Sequence, residues 1–361
     1  MDISKDSIMN HIAYVLEAIY ELEPIMLEMI NIQRMDKLYL DIELPLIQVL
    51  ANMEFLGFKI NASELEKLGV EYDKEIDTLT YTIYELAGEE FNINSPKQIG
   101  EVLFERLSLP VIKKTKTGYS TDVEVLEKLE DKHPIASKIL RYRQIVKLKS
   151  TYIDGLLNLI NKSTNRIHSS FNQTIASTGR ISSTEPNLQN IPVRTEDGRR
   201  IRKAFVAESP EYRLLDGDYS QIELRVLAHI SKDPKFIEAF SKGEDIHKKT
   251  ASEVFHVDLE DVTTELRYRA KAVNFGIVYG ISDYGLAKDL DISRKEAKEY
   301  IDNYFNKFKL VRKYMDDIVE KGKEDGYVET ILNRRRYVPE LSAKNFNVRS
   351  FGERIAMNTP I

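Results

Sequence analysis

The sequence predicts a mainly helical α+β protein, and three observations lead there. Apolar residues recur at helical spacing along most of the chain. A central stretch, residues 166–215, is instead rich in Ser, Thr, Asn, Pro and Gly and carries short β-type runs. The length of 361 residues exceeds what one ordinary core organises, so two or three packed subdomains are expected. With 42% hydrophobic and 30% charged residues the chain reads as soluble and globular. The absence of cysteine excludes disulfides, thiolate zinc sites and cysteine nucleophiles together, and agrees with a reducing cytoplasm. Asp2 and Asp6 stand where a secretory leader would be basic, and Glu17 and Glu21 interrupt the one apolar stretch nearby, so neither secretion nor a membrane span is expected.

Residues 8–30 place Ile8, Ile12, Val15, Ile19 and Leu22 at helical spacing and predict an acidic helical pair ahead of a short linker. The stretch 38–60 is apolar, punctuated by Pro45 and Gly57, and helices rich in Glu and Lys run on to about residue 90. Asn94-Ser95-Pro96 starts another helix, with Ser95 as N-cap and Pro96 at the first helical position. A further helix follows Thr121-Asp122 and continues through Arg141-Tyr142-Arg143 to about Leu159. In the central region strands are expected at 166–171 and 212–215. Helices return from Ile222, including 264–279 and 293–323, and a hairpin is expected at 327–337.

The net charge of −6 looks wrong for a nucleic-acid binder until its distribution is followed. Residues 1–50 hold nine acids and three bases, which accounts for the whole excess; the other 311 residues hold 49 of each. Against that neutral background four basic clusters stand out, at 113–116, 141–149, 194–203 and 334–336. Each one alone also fits a solvated face.

The stretch 213–219 reads as a strand running into a helix that begins near Ser220. Alternation along a strand puts Asp216 and Asp218 on one side, where hard carboxylate oxygens suit magnesium shared with substrate phosphates. One of them capping the helix is the competing reading. For Glu223, local mechanics favour a capping box, Ser220-Gln-Ile-Glu223, with the carboxylate turned back onto the N-cap amide. Arg267, Lys271, Phe275 and Tyr279 recur every four residues and form one slowly turning stripe, cations first and rings after. Lys271 to Tyr279 spans about 12 Å at 1.5 Å per residue, the length of an extended nucleoside triphosphate. Such a stripe is also what a packing face looks like. Gly276 and Gly280 weigh against that, because each helical glycine costs about 1 kcal/mol relative to alanine and needs a reason, close approach or motion.

Three segments carry a family resemblance: TGRISSTEPNLQNIP at 178–192, DYSQIELRVLAH at 218–229 and KAVNFGIVYG at 271–280. From about Leu38 to Ile361 the chain resembles the polymerase body of a bacterial family A DNA polymerase. The resemblance implies a right-hand architecture of palm, thumb and fingers. Residues 1–40 would be the remnant of the end of a 3'-5' exonuclease-like domain and a linker, 41–60 the lead into the palm, 61–160 the thumb, 161–220 the palm and 221–361 the fingers. It implies magnesium at Asp218, with Tyr219 beside it, and catalytic roles for Asp218, Arg267 and Lys271. The deoxynucleotide would meet Gln221, Glu223, His247, Arg267, Lys271, Phe275 and Tyr279, with Glu223 against the sugar where it excludes a 2'-hydroxyl. On its residues alone, His247 would pass for an ordinary helix-surface histidine.

The primer-template would meet Arg180, Gln189, Asn190, Tyr284, Arg349, Arg354 and Asn358. Arg180 would face minor-groove acceptors shared by correct base pairs, which checks geometry without reading sequence. The lysines of 111–119 match a thumb region that grips phosphates, a contact that weakens with salt. Two departures from the family accompany this. The exonuclease domain is reduced to the acidic segment before residue 40, so no proofreading is expected. The hairpin that carries the second metal-binding carboxylate falls beyond Ile361, so the palm sheet is expected to be incomplete. The resulting expectation is a fragment of a template-directed DNA polymerase, a cytoplasmic monomer acting in replication or repair by two-metal phosphoryl transfer. The alternative is a non-catalytic fragment that binds primer-template and deoxynucleotide. A single-subunit RNA polymerase is a third reading, against which Glu223 and KAVNFGIVYG weigh.

Overall fold

The computed structural model describes residues 5–361 except Thr117 and Arg194, so Asp2 of the acidic segment, Thr117 of the lysine-bearing loop and Arg194 of the third basic cluster lie outside the described residues. The chain divides into two compact units. One comprises the residues up to Leu46, Ser177–Arg180 and Asp216–Ile361; the other comprises Ile47–Ala176 and Ile181–Leu215. Helices dominate both, and the described strands form four two-stranded antiparallel pairs, which is the mainly helical α+β class that the sequence predicts. No helix among the described residues is long and apolar enough to cross a membrane.

In the Ile47–Leu215 unit, the Ala62–Ala87 helix buries Leu65, Leu68, Tyr72, Leu79 and Ile83, one stripe at helical period. Its partner, Ile135–Lys147, answers with Ile135, Ile139, Tyr142 and Ile145. Ser95 caps as expected: its hydroxyl accepts from the Gln98 amide at 3.4 Å, with Pro96 at the first helical position. The expected helix from Asp122 to Leu159 is interrupted. Asp122 caps Val123–Glu127, and a new helix starts after Pro134, whose missing N–H suits a first turn and not an interior one. The pair Phe58↔Ile167 and Lys59↔Arg166 and the pair of Ser170–Asn172 with Ser182–Thr184 supply the strands of the central region.

The strand expected at 212–215 does not form. That segment is irregular, and Leu215 is 97% exposed. A strand takes its hydrogen bonds from a neighbour, and no strand among the described residues pairs with it.

Members of two basic clusters are committed internally. Arg141 is bound by Glu75 at 2.6 Å and by Asp197 at 2.5 Å, and Lys149 by Asp154 at 2.9 Å. Arg200 pairs with Glu71, and Arg199 with Glu196 at 2.7 Å. Asp197 is nearly buried and also accepts from Tyr72 at 3.0 Å and Gln144 at 3.2 Å.

In the other unit, the expected helical pair at 8–30 is one helix, Lys5–Ile32, which runs through Pro24. Its sequence has no glycine to turn on, and none of its residues is buried. The expected helix 293–323 is two, Arg294–Lys307 and Lys309–Asp325. Phe308 breaks it: its ring is buried at 4.6 Å from Phe236 and 4.9 Å from Tyr304, and reaching that cluster bends the backbone out of helical geometry. Buried Asp233 then serves two helix starts, accepting from the Lys235 amide at 3.1 Å and from the Leu310 amide at 3.3 Å. The hairpin forms as Tyr327–Glu329 against Arg335–Tyr337.

Burial acts to raise the Asp197 carboxyl, but the bonds from Arg141 and Tyr72 outweigh it and hold the group below its ordinary 3.8. A carboxyl depressed on folding contributes stability that is complete above the unfolded value and is lost as pH falls through the folded one. Acid unfolding of the Ile47–Leu215 unit should therefore steepen below about pH 4. Asp197→Asn should flatten that limb and cost about 2 kcal/mol at neutral pH, read from urea unfolding at a series of pH values.

Candidate functional site

Thr263 caps the Thr264–Val278 helix, its hydroxyl accepting from the Leu266 amide at 3.2 Å. This helix packs on Ile246–Phe255 and buries Ala270, Val273, Asn274 and Ile277, a complete period-3.6 face. The stripe runs along the edge of that face and away from it: Arg267 and Phe275 are half-buried, and Lys271 and Tyr279 exposed. Gly276 is within the helix, where a Cβ would meet the Ile281 Cγ2 at 2.6 Å; close packing is its reason. Gly280 is not within the helix as the sequence suggested. It follows the C-terminal end at φ +64°, where glycine ends the helix without strain.

The cations of the stripe are held at its N-terminal part. Asp245 caps the Ile246–Phe255 helix through the His247 and Lys248 amides at 3.0 and 3.1 Å, and its second oxygen accepts from Arg267 Nε at 2.7 Å. Lys271 sits 5.9 Å from the Phe275 ring centre. His247 is not on the helix surface; it is 3% exposed, with its ring 5.7 Å from that of Phe275. Its Nδ1 lies 3.1 Å from Asn274 Nδ2, and Thr250 donates to Asn274 Oδ1 at 3.1 Å. Burial pushes the imidazole down to about 4; Asp245 opposes this, and the charges of Arg267 and Lys271 reinforce it.

Glu223 does not make the capping box. The helix starts at Ile222 with Gln221 as its N-cap in the left-handed region, φ 55°, and no side chain caps it. The Glu223 carboxylate instead accepts from Arg180 at 2.8 Å and from the Tyr279 hydroxyl at 2.9 Å. Partial burial first, and then this bond, raise the Tyr279 phenol above its ordinary 10.0. Three residues distant in sequence thus meet at one wall of a cavity of about 460 Å³, which Asn358 also lines. Arg334, bound to Glu43, lines it too, and any side chain at Gly179, φ +81°, would run into the Arg334 guanidinium. A neighbouring cavity of about 560 Å³ is lined by Phe275, Tyr279 and Arg354.

Other expected site residues line neither cavity. Asp218 and Tyr219 are exposed on the irregular stretch, and Asp218 makes no hydrogen bond or ion pair among the described residues. No group of three or more His, Asp or Glu side chains among the described residues could cage a metal ion. One free carboxylate with a neighbouring carbonyl does suit magnesium that arrives with a triphosphate, since that ion keeps phosphate and water ligands. Gln189, which donates to the Ile181 carbonyl at 2.8 Å, and Asn190 belong to the other compact unit. Tyr284 is exposed in the first turn of Asp283–Leu290, and Arg349 donates to the Ala343 carbonyl at 3.1 Å. Sequence reasoning passed over Asp245, Thr250, Asn274 and Glu43. Asn274 did leave a signal, as a polar residue at an apolar-face position, i+4 from Ala270.

A sequence profile of DNA polymerase family A matches residues 62–361. DNA polymerase I of Geobacillus stearothermophilus is 56% identical over 352 residues, 98% of this chain and 40% of that protein. DNA polymerase I of Bacillus subtilis (strain 168) is 53% identical over 359 residues, 99% of this chain and 41% of that protein. Among solved structures, the POL domain of Pol1 from M. smegmatis, in complex with DNA primer-template and dNTP, superposes with a TM-score of 0.86 at 46% identity, covering 95% of this chain and 60% of that one. The chain spans about two fifths of the length of the curated relatives it matches.

The Gly179 contact is testable. Gly179→Ala should cost about 1–3 kcal/mol, combining left-handed strain with displacement of Arg334 from Glu43. Thermal unfolding would read it, and an unchanged midpoint would contradict the packing described.

Proposed function

This chain belongs to DNA polymerase family A, and we propose that it extends a DNA primer along a template with deoxynucleoside triphosphates. The primer 3'-hydroxyl oxygen forms a bond to the α-phosphorus, the bond to the β-phosphate oxygen breaks, pyrophosphate leaves, and the hydroxyl proton passes to solvent. The carrying observation is the partly exposed stripe along the Thr264–Val278 helix with its C-cap Tyr279. Two cations followed by two rings match triphosphate followed by base, and Glu223 stands at the ring end. The M. smegmatis neighbour, solved with primer-template and dNTP, supports the same ligand classes.

In this reading Arg267 exchanges the Asp245 carboxylate for phosphate oxygens, one charge-assisted bond for another, and Lys271 turns from the Phe275 face to the same phosphates. His247 donates to the phosphates, and Phe275 and Tyr279 meet the base. Glu223 and Gln221 border the sugar; the two bonds that hold the Glu223 carboxylate leave it no freedom to yield to a 2'-hydroxyl. Arg180 reaches the primer terminus, and Gln189, Asn190, Tyr284, Arg349, Arg354 and Asn358 contact the duplex and template. Asp218 and the Tyr219 carbonyl would hold magnesium, which supplies neutralisation of phosphate charge when bound. The thumb, palm and fingers would be 61–160, 161–220 and 221–361, with lysines 113, 114 and 116 on phosphates. A cytoplasmic, monomeric enzyme of replication or repair fits this chemistry.

Primer extension with magnesium and four deoxynucleotides should lengthen a labelled primer. If the 361-residue chain shifts the primer-template in a gel yet adds no nucleotide at enzyme excess, binding without turnover is the correct reading. Glu223→Ala should raise ribonucleotide incorporation relative to deoxynucleotide by at least about tenfold, since the barrier against the 2'-hydroxyl is gone. Unchanged sugar selectivity in an extending enzyme would remove Glu223 from that role.

A further inference from the structure

The buried face of the nucleotide helix holds a polar chain where its neighbours are apolar. Asn274 and Thr250 are fully buried and His247 is 3% exposed, among Ala270, Val273, Ala251 and Val254. A carboxamide at such a place costs free energy unless bonded, and hydrocarbon would pack as well. Here the Thr250 hydroxyl donates to Asn274 Oδ1 at 3.1 Å, which turns Asn274 Nδ2 toward His247 Nδ1 at 3.1 Å. A neutral imidazole has one donor and one acceptor nitrogen, and a donor facing Nδ1 leaves the proton on Nε2. Phe275 flanks the same ring at 5.7 Å.

We propose that Asn274, oriented by Thr250, is a positioning residue that fixes His247 as the neutral Nε2–H tautomer and so presents an immobile hydrogen-bond donor to the nucleotide phosphates. The proposal rests on the phosphate role assigned to His247 above. The charged groups acting on the ring are Asp245, at the cap of its own helix, and Arg267 and Lys271 on the facing helix. The two cations disfavour an imidazolium and carry the positive charge themselves, so the histidine adds direction to the site and no third charge. Asn274 touches neither nucleotide nor DNA in this arrangement; it acts through the ring.

Two measurements on the 361-residue chain test this. Nitrogen-15 NMR of histidine-labelled protein, assigned with His247→Gln, should show His247 with Nε2 protonated and Nδ1 bare, neutral through pH 6. Thr250→Val and Asn274→Leu should mix the tautomers. Asn274→Asp, which puts an acceptor beside Nδ1, should raise the titration of the ring and move the proton to Nδ1. A wild-type His247 protonated at Nδ1 overturns the proposal. In the second measurement, dCTP with magnesium is titrated onto a primer-template complex. Asn274→Leu, Thr250→Val and His247→Gln should each weaken binding, the first and last by about tenfold, the loss of a hydrogen bond to a charged group. Asn274→Gln should recover less than the wild type, because its amide is displaced by a methylene. If His247→Gln weakens dCTP while Asn274→Leu and Thr250→Val do not, positioning is overturned and the phosphate role stands. If none of them weakens dCTP, the phosphate role of His247 falls and the proposal with it.

Discussion

The packing of the Thr264–Val278 helix on Ile246–Phe255 is the constraint from which the candidate site follows. A helix has one circumference. Once Ala270, Val273, Asn274 and Ile277 are given to the partner, ligands are left the rest of it, and the stripe enters that arc stepwise, from Arg267 at the border of the buried face through Lys271 to Phe275, about 40° per member. The same contact places Asp245 within reach of Arg267 and His247 against Phe275, so one apolar interface sets the positions of a cation, a ring and a buried imidazole. Gly276 serves a separate contact, the return of the following chain onto the helix, because Ile281 occupies the volume that a Cβ would need.

Charge is arranged with similar economy. Asp245 holds Arg267, Glu223 holds Arg180, and Glu43 holds Arg334. In each pair an acid keeps a cation oriented, and in the proposed function phosphate oxygens take only Arg267 from its acid, because they offer the same kind of charge-assisted bond. The net charge of −6 therefore says little about the partner; the sign that matters is local. Elsewhere the same pairing is purely structural. Glu75, Arg141, Asp197 and Tyr72 form a half-buried network whose basic member looked from the sequence like part of an open cluster.

Local signals were legible where the cause is local. Ser95-Pro96 begins a helix because a cap and a ring-locked φ act within one turn, and the 327–337 hairpin closes on its own strands. Errors fall where a distant partner decides. Nothing within 293–323 announces that Phe308 will leave the helix to join Phe236 and Tyr304. The stretch 212–215 has the residues of a strand and lacks a neighbouring strand among the described residues. Glu223 shows this most clearly. Local spacing offers it a capping amide, and two side chains, 43 and 56 residues away, take its oxygens instead.

By itself, then, the sequence determined the class of fold, the order of most helices, the stripe of two cations and two rings, and the family, because these are written in periodicity and in contiguous motifs. Tertiary structure alone decided which part of the stripe is free, which acid holds which base, that His247 is buried, and that Asn274 lies against its ring. The physical reason is range. Backbone propensity and capping act over about one helical turn, whereas burial and charge pairing depend on groups that only folding brings within a few ångströms.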